Sequence, residues 1–181
     1  MPEESSSGTL FGPYRIGALL GRGGMGEVHR AFDTVHRREV ALKRLAGPGS
    51  AVYRTRFRRE AELVSRLGDP HIVPLHAHGE IDGVLYLDMR LVEGTNLERA
   101  LVDGPLEPRR AVRLLEQVGA ALDAAHAAGV LHRDVKPANI LLESADGQER
   151  AYLADFGIAT TFAPDVTRLT ATGTQIGTLD Y

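Results

Sequence analysis

The turn Gly21-Arg22-Gly23-Gly24-Met25-Gly26, set between two strand-like runs, constrains this chain more than any other segment. Glycines at positions 21, 23 and 26 let a backbone turn lie close over a ligand, where any Cβ would collide. The segment after the glycines decides between folds. A dinucleotide-binding unit needs a helix straight after them and an acidic side chain about 20 residues further on. Here Glu27 to Phe32 reads as strand, and the window Ala41 to Ala46 holds no acid. A P-loop is excluded because no G-x-x-x-x-G-K-[ST] occurs. The turn therefore reads as the tip of a β-hairpin, and the next strand, Glu39 to Leu45, carries Val40-Ala41-Leu42-Lys43.

The remaining pattern divides the chain in two. Strand-like runs at Tyr14 to Leu20, Ile72 to Leu75 and Val84 to Leu91 join those already named, with one charged amphipathic helix from Tyr53 to Leu67 between them. After Glu93-Gly94 helices take over. Asn96 to Leu101 is short, and Pro108 to Ala128 is long, with Val112, Leu115, Val118, Leu122 and Ala125 at helical spacing and Gly129 at its stop. Val130-Leu131, Ile140 to Leu142 and Tyr152-Leu153 read as short strands around loops. The acidic, serine-rich residues 1–10 read as a disordered leader and not as a secretory signal. The formal net charge of -3 gives no nucleic-acid footprint, and no apolar run is long enough to span a bilayer. The absence of cysteine removes disulfides and thiolate metal sites, and fits a reducing cytoplasm.

Lys43 on a strand beside the glycine turn can neutralise phosphate charge if a carboxylate steadies it. Glu60 on the first helix suits that role, whereas Glu62 points to another side of the helix. His132-Arg133-Asp134-Val135-Lys136-Pro137-Ala138-Asn139 and Asp155-Phe156-Gly157 then place two carboxylates, an amide and an ammonium on loops at strand ends. Phosphoryl transfer needs such a set: a carboxylate to orient and receive a hydroxyl proton, oxygen ligands for Mg²⁺, and a cation near the transferring group. Of 21 basic residues only Lys43 and Lys136 are lysine, so each is a candidate for a role that needs a compact ammonium and not a planar guanidinium.

Taken together, the G-x-G-x-x-G-x-V, V-A-x-K, H-R-D-x-K-x-x-N and D-F-G elements resemble the protein kinase family, from about Tyr14 to Tyr181. Gly23-Gly24-Met25-Gly26 and Lys136 resemble the bacterial, eukaryotic-like (Hanks-type) serine/threonine members. The resemblance implies an α+β kinase-like fold: an antiparallel N-lobe with hinge over residues 11–94, and the first part of a mainly helical C-lobe over 95–181. It implies ATP as phosphate donor with Mg²⁺, or alternatively Mn²⁺, and proteins as acceptors. It also implies pairing of two copies for autophosphorylation in trans.

By position, the resemblance makes Asp134 the catalytic base, Lys136 the γ-phosphate contact, and Lys43 the α/β-phosphate contact paired with Glu60. Asn139 and Asp155 hold the metal. Gly21, Gly23 and Gly26 cover the phosphates; Val28, Ala41 and Leu141 sandwich the adenine; Met89 is the gatekeeper; and Arg90, Leu91 and Val92 form the hinge. Thr170 and Thr172 are the expected regulatory phosphosites, read by Arg133 with help from the cluster Arg54, Arg56, Arg58 and Arg59. His132 is expected to orient the catalytic loop, and His71, His76 and His78 are not expected to bind metal. The family continues beyond Tyr181 with more of the larger lobe. The alternative expectation is therefore a nucleotide-binding or interaction module without transferase activity. A cytoplasmic kinase part, membrane-anchored beyond residue 181 or not, fits the same reading.

Overall fold

A computed structural model describes residues 9–23, 26–46, 50–145 and 147–158. The described chain forms two compact units.

The first unit comprises the chain up to Arg54 together with Leu75–Leu91. It is a six-stranded antiparallel sheet of β1 (Leu10–Phe11), β2 (Tyr14–Gly23), β3 (Gly26–Asp33), β4 (Arg38–Leu45), β5 (Leu75–Ile81) and β6 (Val84–Arg90), in the order β1-β2-β3-β4-β6-β5. Alternation decides its two faces. Val40 and Leu42 of β4 are fully buried with Phe11, Tyr14 and Ala31, and Ile16, Ile81, Val84 and Tyr86 pack around them. Ala41 and Lys43 point to the other face. A buried polar group lies inside the apolar side: Asp88 accepts from the Tyr14 hydroxyl at 3.0 Å and faces His76 at 3.3 Å. Burial, and then the Asp88 charge, keep the Tyr14 hydroxyl protonated far above its ordinary range.

The second unit comprises Thr55–Pro74 and the chain from Val92. It holds most of α1 (Ala51–Ser65), whose inward side is Phe57, Ala61 and Val64. A small sheet is built from β7 (Gly94–Asn96), β8 (Ile140–Ala145) and β9 (Gln148–Leu153) in that order. Between β7 and β8 run α2 (Leu97–Ala100), α3 (Pro108–Ala127) and a 3-10 turn at Pro137–Asn139. Asn96 caps α2 by accepting from the Arg99 amide at 2.8 Å. Glu107 caps α3 by accepting from the Arg109 and Arg110 amides, which hold its carboxyl below the usual range. Gly129 ends α3 with φ +75°, where the Val130 amide donates back to the Ala125 carbonyl at 2.9 Å. α3 docks on β9 through Arg110, bidentate to Glu149 at 2.8 and 2.7 Å, and through Gln117, which accepts from the Ala151 amide at 2.7 Å.

Several expectations change. Leu10, assigned to the leader, is a strand residue paired with Arg15; residues 1–8 lie outside the described residues. Ile72 to Leu75 is not a strand. Pro74 cannot donate to a ladder, Ile72 makes one isolated parallel bridge to Leu153, and the strand begins at Leu75. Val130-Leu131 carries no strand. The buried stripe of α3 is Leu114, Val118, Ala121 and Ala125, because that side continues from Arg110 and Gln117 onto β9; Val112 and Leu115 are exposed. The unit boundary also differs from a single cut after residue 94, since residues 55–74 join the later part of the chain.

Candidate active site

In the first unit the working side chains are placed by the ladder itself. Gly21 pairs with Val28, and Val28 with Lys43. Ala41 pairs with Met89. Partnered residues in an antiparallel pair point to the same face, so Val28, Ala41, Lys43 and Met89 share one side of the sheet. Lys43 is only 9% exposed, and Val28, Ala41 and Met89 are half-buried. Gly26 is a steric requirement. Its φ is +134°, and a Cβ there would collide with the Arg44 carbonyl oxygen. Among the described residues, a Cβ on Gly21 or Gly23 would meet nothing within 4 Å. Leu91, just after β6, is the last residue of this unit.

In the second unit the catalytic loop has no ladder and is held by side chains. His132 is buried. Its Nε2–H donates to the Ala154 carbonyl at 2.8 Å, its Nδ1 accepts from the Asp134 amide at 3.3 Å, and its own carbonyl accepts from the Gly157 amide at 2.9 Å. That pattern requires the neutral ring, and burial lowers its pKa from the ordinary value. The ring lies 4.7 Å from that of buried Phe156. One imidazole thus joins the His132–Asp134 loop to the Ala154–Gly157 turn. Arg133 and Asp155, each next to such a contact, have φ of +69° and +56°, a left-handed backbone that non-glycine residues adopt only where surroundings enforce it.

Two polar side chains converge on Asp134. Its Oδ2 is 2.8 Å from Lys136 Nζ and accepts from Asn139 Nδ2 at 3.1 Å; the same amide donates to the Asp134 carbonyl at 2.8 Å. With Nδ2 so engaged, Asn139 Oδ1 is the atom left for a hard cation. An amide oxygen and the Asp155 carboxylate fit Mg²⁺, which takes few protein oxygens and completes its shell with water and phosphate. Among the described residues there is no cluster of three or more His, Cys, Asp or Glu that could hold a metal unaided. His71 bonds the Ala151 carbonyl at 3.0 Å, and His76 faces Asp88 at 3.3 Å. Leu141 is half-buried on β8, and Val92 begins the second segment of this unit.

Glu60 lies 3.9 Å from Arg133. The two border a cavity of about 290 Å³ together with Arg56, Arg59, Phe156 and Ile158, all within this unit. Of the arginine cluster, Arg54 is engaged elsewhere, 2.6 Å from Glu80. Thr170 and Thr172 lie outside the described residues. Sequence reasoning missed Glu143. It is 9% exposed on β8, and accepts from the Tyr152 hydroxyl at 3.0 Å and the Glu93 amide at 3.3 Å, so it fixes the chain just after Val92. A charged residue at an inward strand position was its one signal.

A protein kinase domain family model matches residues 14–181. The chain is 54% identical over 181 residues to the serine/threonine-protein kinase PknE of Mycobacterium tuberculosis, covering 98% of this chain and 31% of that protein. It is 50% identical over 182 residues to PknH of Mycobacterium bovis, covering 99% of this chain and 30% of that one. The crystal structure of the Mycobacterium tuberculosis PknI kinase domain superposes with a TM-score of 0.75 at 38% identity, over 86% of this chain and 64% of that one. The chain belongs to the protein kinase family and has its fold. It spans about a third of the length of these two curated relatives.

Proposed function

We propose that this chain carries the ATP-handling and catalytic residues of a protein serine/threonine kinase. The observation that supports this most is the Asp134 cluster: a carboxylate held by Lys136 at 2.8 Å and Asn139 at 3.1 Å, on a loop fixed by a buried neutral histidine. A binding module has no use for that arrangement. Asp134 would orient a serine or threonine hydroxyl and accept its proton as the oxygen bonds to the γ-phosphorus and the bond to the β-phosphate oxygen breaks. Lys136 would offset charge on the transferring group, and Lys43, paired with Glu60, would hold the α- and β-phosphates. Val28, Ala41, Leu141 and the Met89–Val92 segment would enclose the adenine. Asn139 and Asp155 would hold Mg²⁺, which when bound neutralises phosphate charge.

Phosphate on Thr170 or Thr172, added by a second copy, would pair with Arg133, with Arg56 and Arg59 on the same cavity as further cations. Phosphopeptide mapping should find label within residues 160–178; label only elsewhere would refute this regulatory part. The catalytic part is tested by incubating the chain with Mg-ATP and a generic protein substrate beside Asp134→Asn. Transfer detected by mass spectrometry should fall by about 10²-fold or more in the variant. Nucleotide binding without transfer in the parent would favour the module reading instead.

A further inference from the structure

Glu27 stands at the centre of a row of charges behind the glycine turn. It is the strand partner of Arg22 on β2 and of Arg44 on β4, so the three side chains share one face. Glu27 Oε1 is 2.7 Å from Arg22 Nη2, and Oε2 is 3.8 Å from Arg44 Nη2 and 3.1 Å from His29 Nε2. Arg44 is itself oriented, with its guanidinium 5.5 Å from the Phe11 ring centre. The His29 bond, and then Arg22, hold the Glu27 carboxyl below the usual range.

This row lies one step along the strands from Gly21–Val28–Lys43 and on the opposite face. A slip of β2 by one residue against β3 would take Gly21 off the side of Val28 and Lys43, whereas Val28 stays there through the unbroken β3–β4 ladder. Tyr14, Ala31, Val40 and Leu42 are buried together at the other end of these strands, but the glycine end of β2 has little apolar packing to prevent such a slip. β2 has two register irregularities just before the glycines, between Ile16 and Leu19 and between Leu19 and Gly21. Leu19 and Leu20, in that stretch, are 48% and 52% exposed.

We propose that Glu27 is a positioning residue for phosphate binding: held between Arg22 and Arg44, it keeps β2, and with it Gly21, in register on β3 beside the strand of Lys43. This rests on the ATP-binding reading. The test measures affinity of the 181-residue chain for Mg-ATP and for adenosine, which has no phosphates, in the parent, in Glu27→Gln and in the surface variant Arg22→Gln. Glu27→Gln should weaken Mg-ATP about five-fold and Arg22→Gln about two-fold, the scale of an exposed ion-pair network, with adenosine affinity unchanged. Unchanged Mg-ATP affinity in both variants would overturn the inference, as would equal losses for the two ligands. A parent that binds neither ligand would instead overturn the ATP-binding reading, and this inference with it.

Discussion

The glycine hairpin and the catalytic loop place their working side chains by opposite means. On the hairpin the backbone does it: each residue of β3 has a ladder partner on β4 from Gly26↔Leu45 to Asp33↔Arg38. Around Asp134 the backbone is irregular, and side-chain bonds from His132 and Asn139 supply the geometry. A ladder tolerates most side-chain changes and fails where a Cβ will not fit. A loop held by side chains fails when one of them loses its hydrogen bonds.

The largest effect expected from that difference is at Gly26. Gly26→Ala puts a Cβ against the Arg44 carbonyl at a strained φ, and should cost roughly 3 kcal/mol or more of unfolding free energy by denaturant titration. A cost below about 1 kcal/mol would mean that the hairpin opens easily, contrary to a rigid ladder.

His132→Phe probes the other side of the comparison. It keeps a ring beside Phe156 but removes the bonds to the Ala154 carbonyl and the Asp134 amide, for an expected loss of about 2–3 kcal/mol. The same residue sets a pH dependence. Its folded pKa lies below the unfolded value of 6.5, so on acidification the unfolded chain takes up the proton first. Its contribution is therefore full above about pH 6.5 and is lost as pH falls from there through the folded value. The thermal midpoint of the parent should fall between about pH 7 and pH 5.5 more steeply than that of His132→Phe. Parallel curves would show that His132 is not held neutral.

The smallest effect should come from a contact that serves neither device. Arg110→Ala removes the bidentate pair to Glu149, which raises the arginine pKa and lowers that of the glutamate. Both side chains are about a third exposed, and the expected cost is about 0.5–1 kcal/mol. A larger loss would make the α3–β9 contact a main support of the catalytic loop.

The same contrast explains what could be read from the sequence. Strands β2, β3, β4 and β6 were legible to within a few residues because alternation and glycine punctuation are local signals. So were the ends of α3. The burial of α3 was not, because the helix has apolar residues on two sides and only contact with β9 selects Leu114 over Leu115. The β5 start was missed because Leu75 to Ile81 is half-polar, while the apolar Ile72-Val73 before it is broken by Pro74. Glu143 and the Glu27 row depend on strand register, which no short window contains.

The most direct test of the phosphoryl-transfer reading uses the two lysines. The rate of phosphate transfer from Mg-ATP should be measured for the parent, Lys43→Arg and Lys136→Arg, with thermal midpoints recorded alongside. Each variant keeps its positive charge, and each should lose transfer by about 10²-fold at a nearly unchanged midpoint, because a planar guanidinium cannot take the place of a compact ammonium at the phosphates. Transfer at the parental rate with arginine at both positions would contradict the assignment of these residues to the phosphates.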